Sequence, residues 1–312
     1  MKPKTIAYLQ LGLLALLMGL FLWWAYPESV AVTPAEVMLS TAVEATSTRP
    51  SFENPLIEAK SAYVYDAVTK EVLFEKNSDL QLPLASVTKV MTALTASNLI
   101  PDSNTVRITS DDLREEGDSG LSINETWSVR DLIDFSLIVS SNDGSRALAS
   151  VAGAFLAPSA SSTPRDAFIR EMNATAVRLG LRATYFLNQS GLDVSDTLAG
   201  GYGSAKDMAL LFDHILRTKP HLLEATSFDA LSISSTSTVH NAVNTNKAID
   251  LLPNVIASKT GFTDLAGGNL VVAFDAGVAH PIIIAVLGSS FDGRFDDMTK
   301  LVNSTIEYLS GR

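Results

Sequence analysis

Strand-like sequence at both ends of a long helical block most restricts what this chain can fold into. Ser61–Asn77 reads SAYVYDAVTKEVLFEKN, two runs rich in Val, Tyr and Phe around the turn-like DAVTK, which is a hairpin pattern. β-Rich runs return only as NVIASKTGFT, GGNLVVAFDA and HPIIIAVLGSS, between Asn254 and Ser290. The intervening sequence is helical. In SVRDLIDFSLIVSS (Ser128–Ser141), Ser128 stands at an N-cap position, and Leu132, Phe135, Ile138 and Val139 form one apolar stripe. Helices are expected again at Arg146–Leu156, Pro164–Leu179 and Ala205–Thr218, and an amphipathic one at Asp296–Ser310. Ser110–Gly120 is acidic and polar and reads as a loop. The expected class is α+β: one antiparallel sheet built from both chain ends, flanked by helices, with an inserted all-helical lobe.

The N-terminus sets the compartment. Lys2 and Lys4 precede Ile6–Tyr26, which is apolar except for Gln10. A stretch of about 20 residues can span a bilayer, and it exceeds the roughly 7–15 residues of a signal-peptide core. Trp23, Trp24 and Tyr26 lie at its far end, where an interfacial aromatic belt sits. The lysines stay in the cytoplasm, so the rest of the chain is exported. Ser29-Val30-Ala31 also resembles a cleavage site, so residues 1–26 are read as a signal-anchor or a signal peptide, the anchor being favoured. Residues 27–55, rich in Ala, Val, Thr, Ser, Glu and Pro, read as a flexible linker. Residues 56–312 form the working domain. The catalytic part is thus expected outside the cytoplasm, held at the cell membrane by the first segment, or secreted if that segment is cleaved.

Composition removes several chemistries. With no cysteine there is no disulfide, thiolate metal site or cysteine nucleophile. His214, His221, His240 and His280 lack ligand-like spacing and read as ordinary surface or loop residues, so no metal is expected. The net charge of -11 argues against nucleic acid as a partner. An anionic substrate would need a local basic pocket.

PLASVTKVMTAL (Pro83–Leu94) carries one residue that its pattern does not explain. Val87, Val90, Met91 and Leu94 have the spacing of a buried helix, yet Lys89 sits among them. Residues i and i+3 share a helix face, so Lys89 reaches Ser86. Burial lowers a lysine pKa, and a neutral amine beside a serine can take its proton and make it a nucleophile. Ser-x-x-Lys alone is weak, since serine is common and about one chance match is expected in a chain this size. Two further elements follow in order: Ser140-Ser141-Asn142 at the end of an apolar helix, and Lys259-Thr260-Gly261 on a strand-like run. Together the three form the signature of penicillin-binding proteins and class A β-lactamases.

From roughly Glu58 to Leu309 the chain resembles the low-molecular-mass penicillin-binding proteins, specifically the serine D-Ala-D-Ala carboxypeptidases. YVYDAVTKEVLFEKN, LASVTKVMTAL, SLIVSSNDGSRALA, LGLRATYFLNQSGLD, NTNK (Asn244–Lys247), KTGFTDLAGG and VLGSSFDGRFDD carry the resemblance. It implies a penicillin-binding/serine β-lactamase-like fold. Two departures stand out: Ser141 replaces the more usual glycine or alanine, and Asn188-Gln189-Ser190-Gly191 replaces Asn-Pro-His-Gly.

The resemblance further implies acyl transfer. Ser86 would attack the carbonyl of the penultimate D-Ala of a peptidoglycan stem peptide, with Lys89 as base. The backbone N–H groups of Ser86 and Phe262 would hold the oxyanion. Ser140 would relay a proton to the leaving amine, and Asn142 would hold the substrate amide. Lys259 and Thr260 would bind the terminal carboxylate, Gly261 would allow close approach to the strand, and Thr263 would assist. β-Lactams would acylate Ser86 and stay. No cofactor is implied. Asp143 and Arg146 read as structural, through capping or an ion pair, and Arg294 is not expected to touch substrate.

Three rival readings remain. A β-lactamase needs a deacylating glutamate, and no Glu-x-x-x-Asn segment lies between the second and third elements. A DD-endopeptidase would use the same residues. A non-catalytic wall-binding protein would have no need of an intact Ser86, Lys89, Ser140, Asn142 and Lys259.

Overall fold

The computed structural model describes residues 52–156 and 163–311. The expected membrane segment (1–26) and nearly all of the linker lie outside the described residues. Among the described residues, no helix is long and apolar enough to cross a membrane.

Five strands build the main sheet: β1 (Ser61–Asp66), β2 (Val72–Lys76), β3 (Val255–Thr263), β4 (Gly267–Asp275) and β5 (Pro281–Ser289). Their order is β3-β4-β5-β1-β2, with every neighbouring pair antiparallel. The seam between the chain ends is the β1–β5 pairing, running from Ser61 opposite Leu287 to Asp66 opposite Ile282. β5 shows why sequence from both ends must meet. Its side chains alternate between two apolar layers. Ile282, Ile284 and Val286 pack with Phe295, Met298, Leu301 and Val302 of the C-terminal helix. Ile283, Ala285 and Leu287 belong to the larger core, which includes Met208, Leu211, Phe212 and Ile215. Each fully buried aliphatic side chain contributes about 1.5–3 kcal/mol, so this central strand needs cover on both faces.

The helices are α1 (Thr88–Leu99), α2 (Val129–Ile138), α3 (Asn142–Ala154), α4 (Pro164–Arg178), α5 (Ala205–Thr218) and α6 (Gly293–Ser310), with a shorter one at His221–Glu224. Capping fixes several starts. Ser128 accepts from the Asp131 N–H, Ser204 from the Asp207 N–H, and Thr163 forms a capping box with Asp166. Three boundaries differ from expectation. α3 begins at Asn142 rather than Arg146, because Ser141 caps it by accepting from the Gly144 N–H at 2.9 Å. α6 begins at Gly293 rather than Asp296. α2 ends at Ile138 rather than Ser141, with Val139 as its half-buried C-cap, still packed against the core. The helical lobe also carries short two-stranded ribbons, Thr105–Arg107 with Thr126–Ser128 and Ala230–Ser234 with Val239–Val243. α1 is buried on every side from Thr88 to Ala96, which explains its lack of a polar stripe.

Candidate active site

Ser86 lies in a single 3₁₀ turn, Ala85–Val87, immediately before α1. Ala85 has φ of 47°, a left-handed value that a non-glycine residue adopts only when its surroundings enforce it. Lys89, in the first turn of α1, is 1% exposed. Its Nζ lies 2.7 Å from Ser86 Oγ and 2.8 Å from the Ser190 carbonyl. Burial holds the Lys89 amine well below its ordinary pKa, and the charge of Lys259 lowers it further. Both effects favour the neutral amine beside the hydroxyl.

The divergent Asn188-Gln189-Ser190-Gly191 segment keeps a tight turn without Pro and His. Asn188 Oδ1 accepts from the Gly191 N–H at 2.7 Å, and Thr92 Oγ1 donates to the Gln189 carbonyl at 2.7 Å. Gly191 has φ of 81°, and a Cβ there would lie 1.8 Å from the Ala85 carbonyl oxygen. Only glycine lets this turn bring the Ser190 carbonyl to Lys89.

Ser140 occupies the link between α2 and α3, with φ of 63°. Lys259 Nζ, reaching from β3, donates to Ser140 Oγ at 2.9 Å. Burial, then the charge of Arg294, pushes the Lys259 amine down to about 7. β3 is an edge strand, so one side of it faces the cleft unpaired by the sheet. Next along it, Thr260 Oγ1 lies 2.5 Å from Thr245 Oγ1. A Cβ on Gly261 would lie 2.8 Å from the Leu84 carbonyl oxygen and 3.1 Å from the Ser86 nitrogen. The strand thus runs against the backbone of the nucleophile turn.

Ser86, Ser140, Thr260, Gly261 and Phe262 line one cleft of about 330 Å³, with Lys89 and Lys259 buried in its walls. The same cleft is lined by Asn244, Thr245, Lys247, Phe291 and Arg294. Arg294, not expected to touch substrate, is among them. It is 4% exposed, donates to the Gly261 carbonyl at 2.7 Å, and stacks on Phe291 at 4.5 Å. Burial pulls it down to about 10. Together with Lys247 it makes this end of the cleft cationic.

Asn142 and Thr263 do not line that cleft. Asn142 lines an adjoining cavity of about 350 Å³ with Gly117, Ser119 and Asn241, which shares Ser140 with the cleft. Thr263 Oγ1 donates to Asp193 Oδ1 at 3.0 Å, at a third cavity that shares Phe262. Arg146 makes the expected ion pair, with Glu115. Asp143 accepts from Ser119 at 3.3 Å, whereas Ser141 supplies the cap. His240 is not an ordinary surface residue. Its Nε2 lies 2.6 Å from Glu125 Oε1 and its ring 4.9 Å from that of Trp127, anchoring the ribbon that leads into Thr245. Of the lining residues not named as site residues, Asn244, Thr245 and Lys247 lie in the NTNK segment, and Phe291 and Arg294 in VLGSSFDGRFDD.

A serine hydroxyl against a buried amine, a second serine held by a buried lysine, and an edge strand beside both form a candidate site of the serine acyl-transfer type on a penicillin-binding fold. The family model for D-alanyl-D-alanine carboxypeptidases, Peptidase S11, matches residues 47–290, and the chain belongs to this family. It is 31% identical over 253 residues to the D-alanyl-D-alanine carboxypeptidase DacF of Bacillus subtilis, with 79% of this chain and 61% of that protein covered. The chain therefore spans less than two thirds of that relative's length. A D-alanyl-D-alanine endopeptidase of Escherichia coli is 29% identical, with 78% of this chain and 76% of that protein covered. Among solved structures, penicillin-binding protein D2 of Listeria monocytogenes in its cefotaxime-bound form is 30% identical. That match covers 81% of this chain and 98% of that one, with a TM-score of 0.66.

Proposed function

We propose that this protein is a serine-type D-Ala-D-Ala carboxypeptidase that removes the terminal D-Ala from peptidoglycan stem peptides through a Ser86 acyl-enzyme. The observation that carries the reading is the 2.7 Å contact between Lys89 Nζ and Ser86 Oγ, made by an amine whose burial favours its neutral form. Lys89 takes the proton as Ser86 Oγ bonds to the penultimate D-Ala carbonyl carbon. The Ser86 and Phe262 N–H groups hold the oxyanion. As the peptide bond breaks, Ser140 gives its proton to the leaving amine and regains the one held by Lys89, with Lys259 supporting its hydroxyl. Thr260, aided by Lys259, Thr245 and Arg294, receives the terminal carboxylate, and Gly261 admits the substrate backbone. Asn142 holds an amide on the acyl side, and Thr263 orients that end of the strand through Asp193. Water then hydrolyses the ester, returning a proton to the site. β-Lactams acylate Ser86 in the same way and remain as covalent inhibitors.

Residues 56–312 form the catalytic domain on this reading. It works outside the cytoplasm, tethered by 27–55 to a membrane segment at 1–26. The relative named as an endopeptidase favours a second reading, in which the same site cuts D-Ala cross-links.

Fluorescent penicillin tests the chemistry. The chain should be labelled covalently, and Ser86→Ala should abolish labelling; a labelled Ser86→Ala protein would sink the nucleophile assignment. A pentapeptide muropeptide and a cross-linked dimer then separate the activities. Release of D-Ala from the first supports the carboxypeptidase, and cleavage of the dimer alone supports the endopeptidase. Extraction of cell membranes with alkaline carbonate tests the anchor, since a spanning segment stays with the lipid.

A further inference from the structure

Asn142 begins α3, yet its side chain is held from outside that helix. Nδ2 donates to the Glu116 carbonyl at 2.6 Å, while Oδ1 is buried with no partner among the described residues. A buried acceptor in that state is costly to leave unmade, and a substrate N–H would satisfy it. The position of Asn142 therefore depends on where Glu116 is kept.

Glu116 belongs to a stretch without regular structure, Glu115–Gly120, in which Gly117 and Gly120 have φ of 90° and 80°. Its own charges work against a fixed position. Glu115, Glu116 and Asp118 are like charges in one short strap, and Asp143 of α3 faces it. The Asp143 carboxyl is pushed up by burial and further by Glu115 and Asp118.

Arg146, one turn along α3 from Asn142, offsets this charge. Its guanidinium pairs with the Glu115 carboxylate and donates to Asp111 at 3.1 Å. Asp111 also accepts from Arg165 of α4 at 2.7 Å, so the cation is braced from a second helix. At the other end of the strap, Ser119 Oγ lies 2.7 Å from Ser141 Oγ and donates to Asp143 at 3.3 Å. α3 thus grips the strap at Glu115 and at Ser119, and Glu116 is held over Asn142 between those grips. Arg146 itself lines none of the three cavities at the cleft.

We propose that Arg146 is a positioning residue for recognition on the acyl side of the scissile bond. Through Glu115 it fixes the Glu116 carbonyl, which orients the Asn142 amide toward the substrate's acyl-side amide group. This inference rests on the substrate contact assigned to Asn142 in the proposed function. Substrates that offer an amide there gain from the strap, and those that lack one do not.

Two β-lactams separate the cases. Benzylpenicillin carries an acylamino side chain, and 6-aminopenicillanic acid carries a bare amine. In the full chain, Arg146→Ala should lower the second-order acylation rate by benzylpenicillin about tenfold, one lost hydrogen-bond contact. Acylation by 6-aminopenicillanic acid should change less than about twofold. Arg146→Lys should restore part of the benzylpenicillin rate. In an Asn142→Ala background, Arg146→Ala should have no further effect, because the two act in series. Equal losses for both β-lactams, or additive losses in the double variant, would overturn the proposal. Hydrogen exchange reads the strap without any chemistry: Arg146→Ala should speed exchange of the Glu115–Gly120 amides about tenfold or more. Unchanged exchange would overturn the proposal even if Ser86 reacts normally. A wild-type chain that neither β-lactam acylates would refute the Ser86 reading, and exchange would still decide whether Arg146 holds the strap.

Discussion

Gly261→Ala probes the closest approach in the site. Nothing in the local backbone forbids alanine, because Gly261 is an ordinary strand residue without a positive φ. The obstacle is the nucleophile turn. The added methyl would sit 2.8 Å from the Leu84 carbonyl oxygen, where ordinary contact begins at 3.4 Å. The opposing atoms, the Leu84 oxygen and the Ser86 nitrogen, are backbone, so no flexible side chain can swing aside. Either β3 or the Ala85–Val87 turn must move by roughly half an ångström to restore normal contact. A misplacement of about 1 Å between reacting groups can cost about a hundredfold in rate. Half of that shift predicts a loss of about tenfold in acylation. Overpacking of this kind costs about 1–3 kcal/mol in stability, which lowers Tm by several degrees in a domain this size. Stopped-flow acylation by a fluorescent penicillin and thermal unfolding by circular dichroism measure the two effects. Acylation at the wild-type rate, with Tm reduced, would refute the claim that strand and turn must keep this separation for chemistry.

Lys259 predicts a pH dependence. Its folded pKa is depressed from 10.5 to about 7, so between those values the unfolded chain binds a proton that the folded one does not. Its contribution to stability therefore rises with pH across that window and is a constant penalty below it. Urea unfolding should show a weaker rise in Lys259→Met. If the charged amine supports Ser140 and the carboxylate, acylation should fall as pH passes about 7, and that limb should vanish in Lys259→Met. Away from the site, Ser204→Ala removes the cap that accepts from the Asp207 N–H at 3.1 Å. It should cost about 1 kcal/mol by denaturant titration and leave the acylation rate per folded molecule unchanged.

The sheet was legible because a strand buried on both faces cannot be hidden in a sequence. HPIIIAVLGSS has no polar face, so it required cover on both sides, and the hairpin at Ser61–Asn77 was the remaining strand-forming partner. Ser86 and Lys89 were legible for a related reason. A lone lysine in an apolar helix violates the local pattern, and a functional site is where such a violation is expected. Asn142 was read at the end of one helix, but it starts the next, because Ser141 supplies a cap that composition alone does not reveal. Arg294 looked like an ordinary helix-opening residue. Its position depends on α6 packing across β5 and β4, so that the first turn of α6 sets Arg294 against the Gly261 carbonyl.

Local pattern by itself therefore determined the strands of the main sheet and the long helices, that a hydroxyl and an amine lie three residues apart at a helix start, and that no thiol chemistry operates. Tertiary structure alone decided what surrounds that pair. The Ser190 carbonyl reaches Lys89 across 101 positions, and Lys259 reaches Ser140 across 119. The physical reason is range. Periodicity and capping are set by neighbours a turn away, whereas burial, which lowers the Lys89 amine and brings Lys259 near neutrality, is a property of everything packed around them. The lysine that breaks the pattern of α1 can be seen in one line of sequence, but the low-dielectric setting that favours its neutral form is assembled by the whole domain.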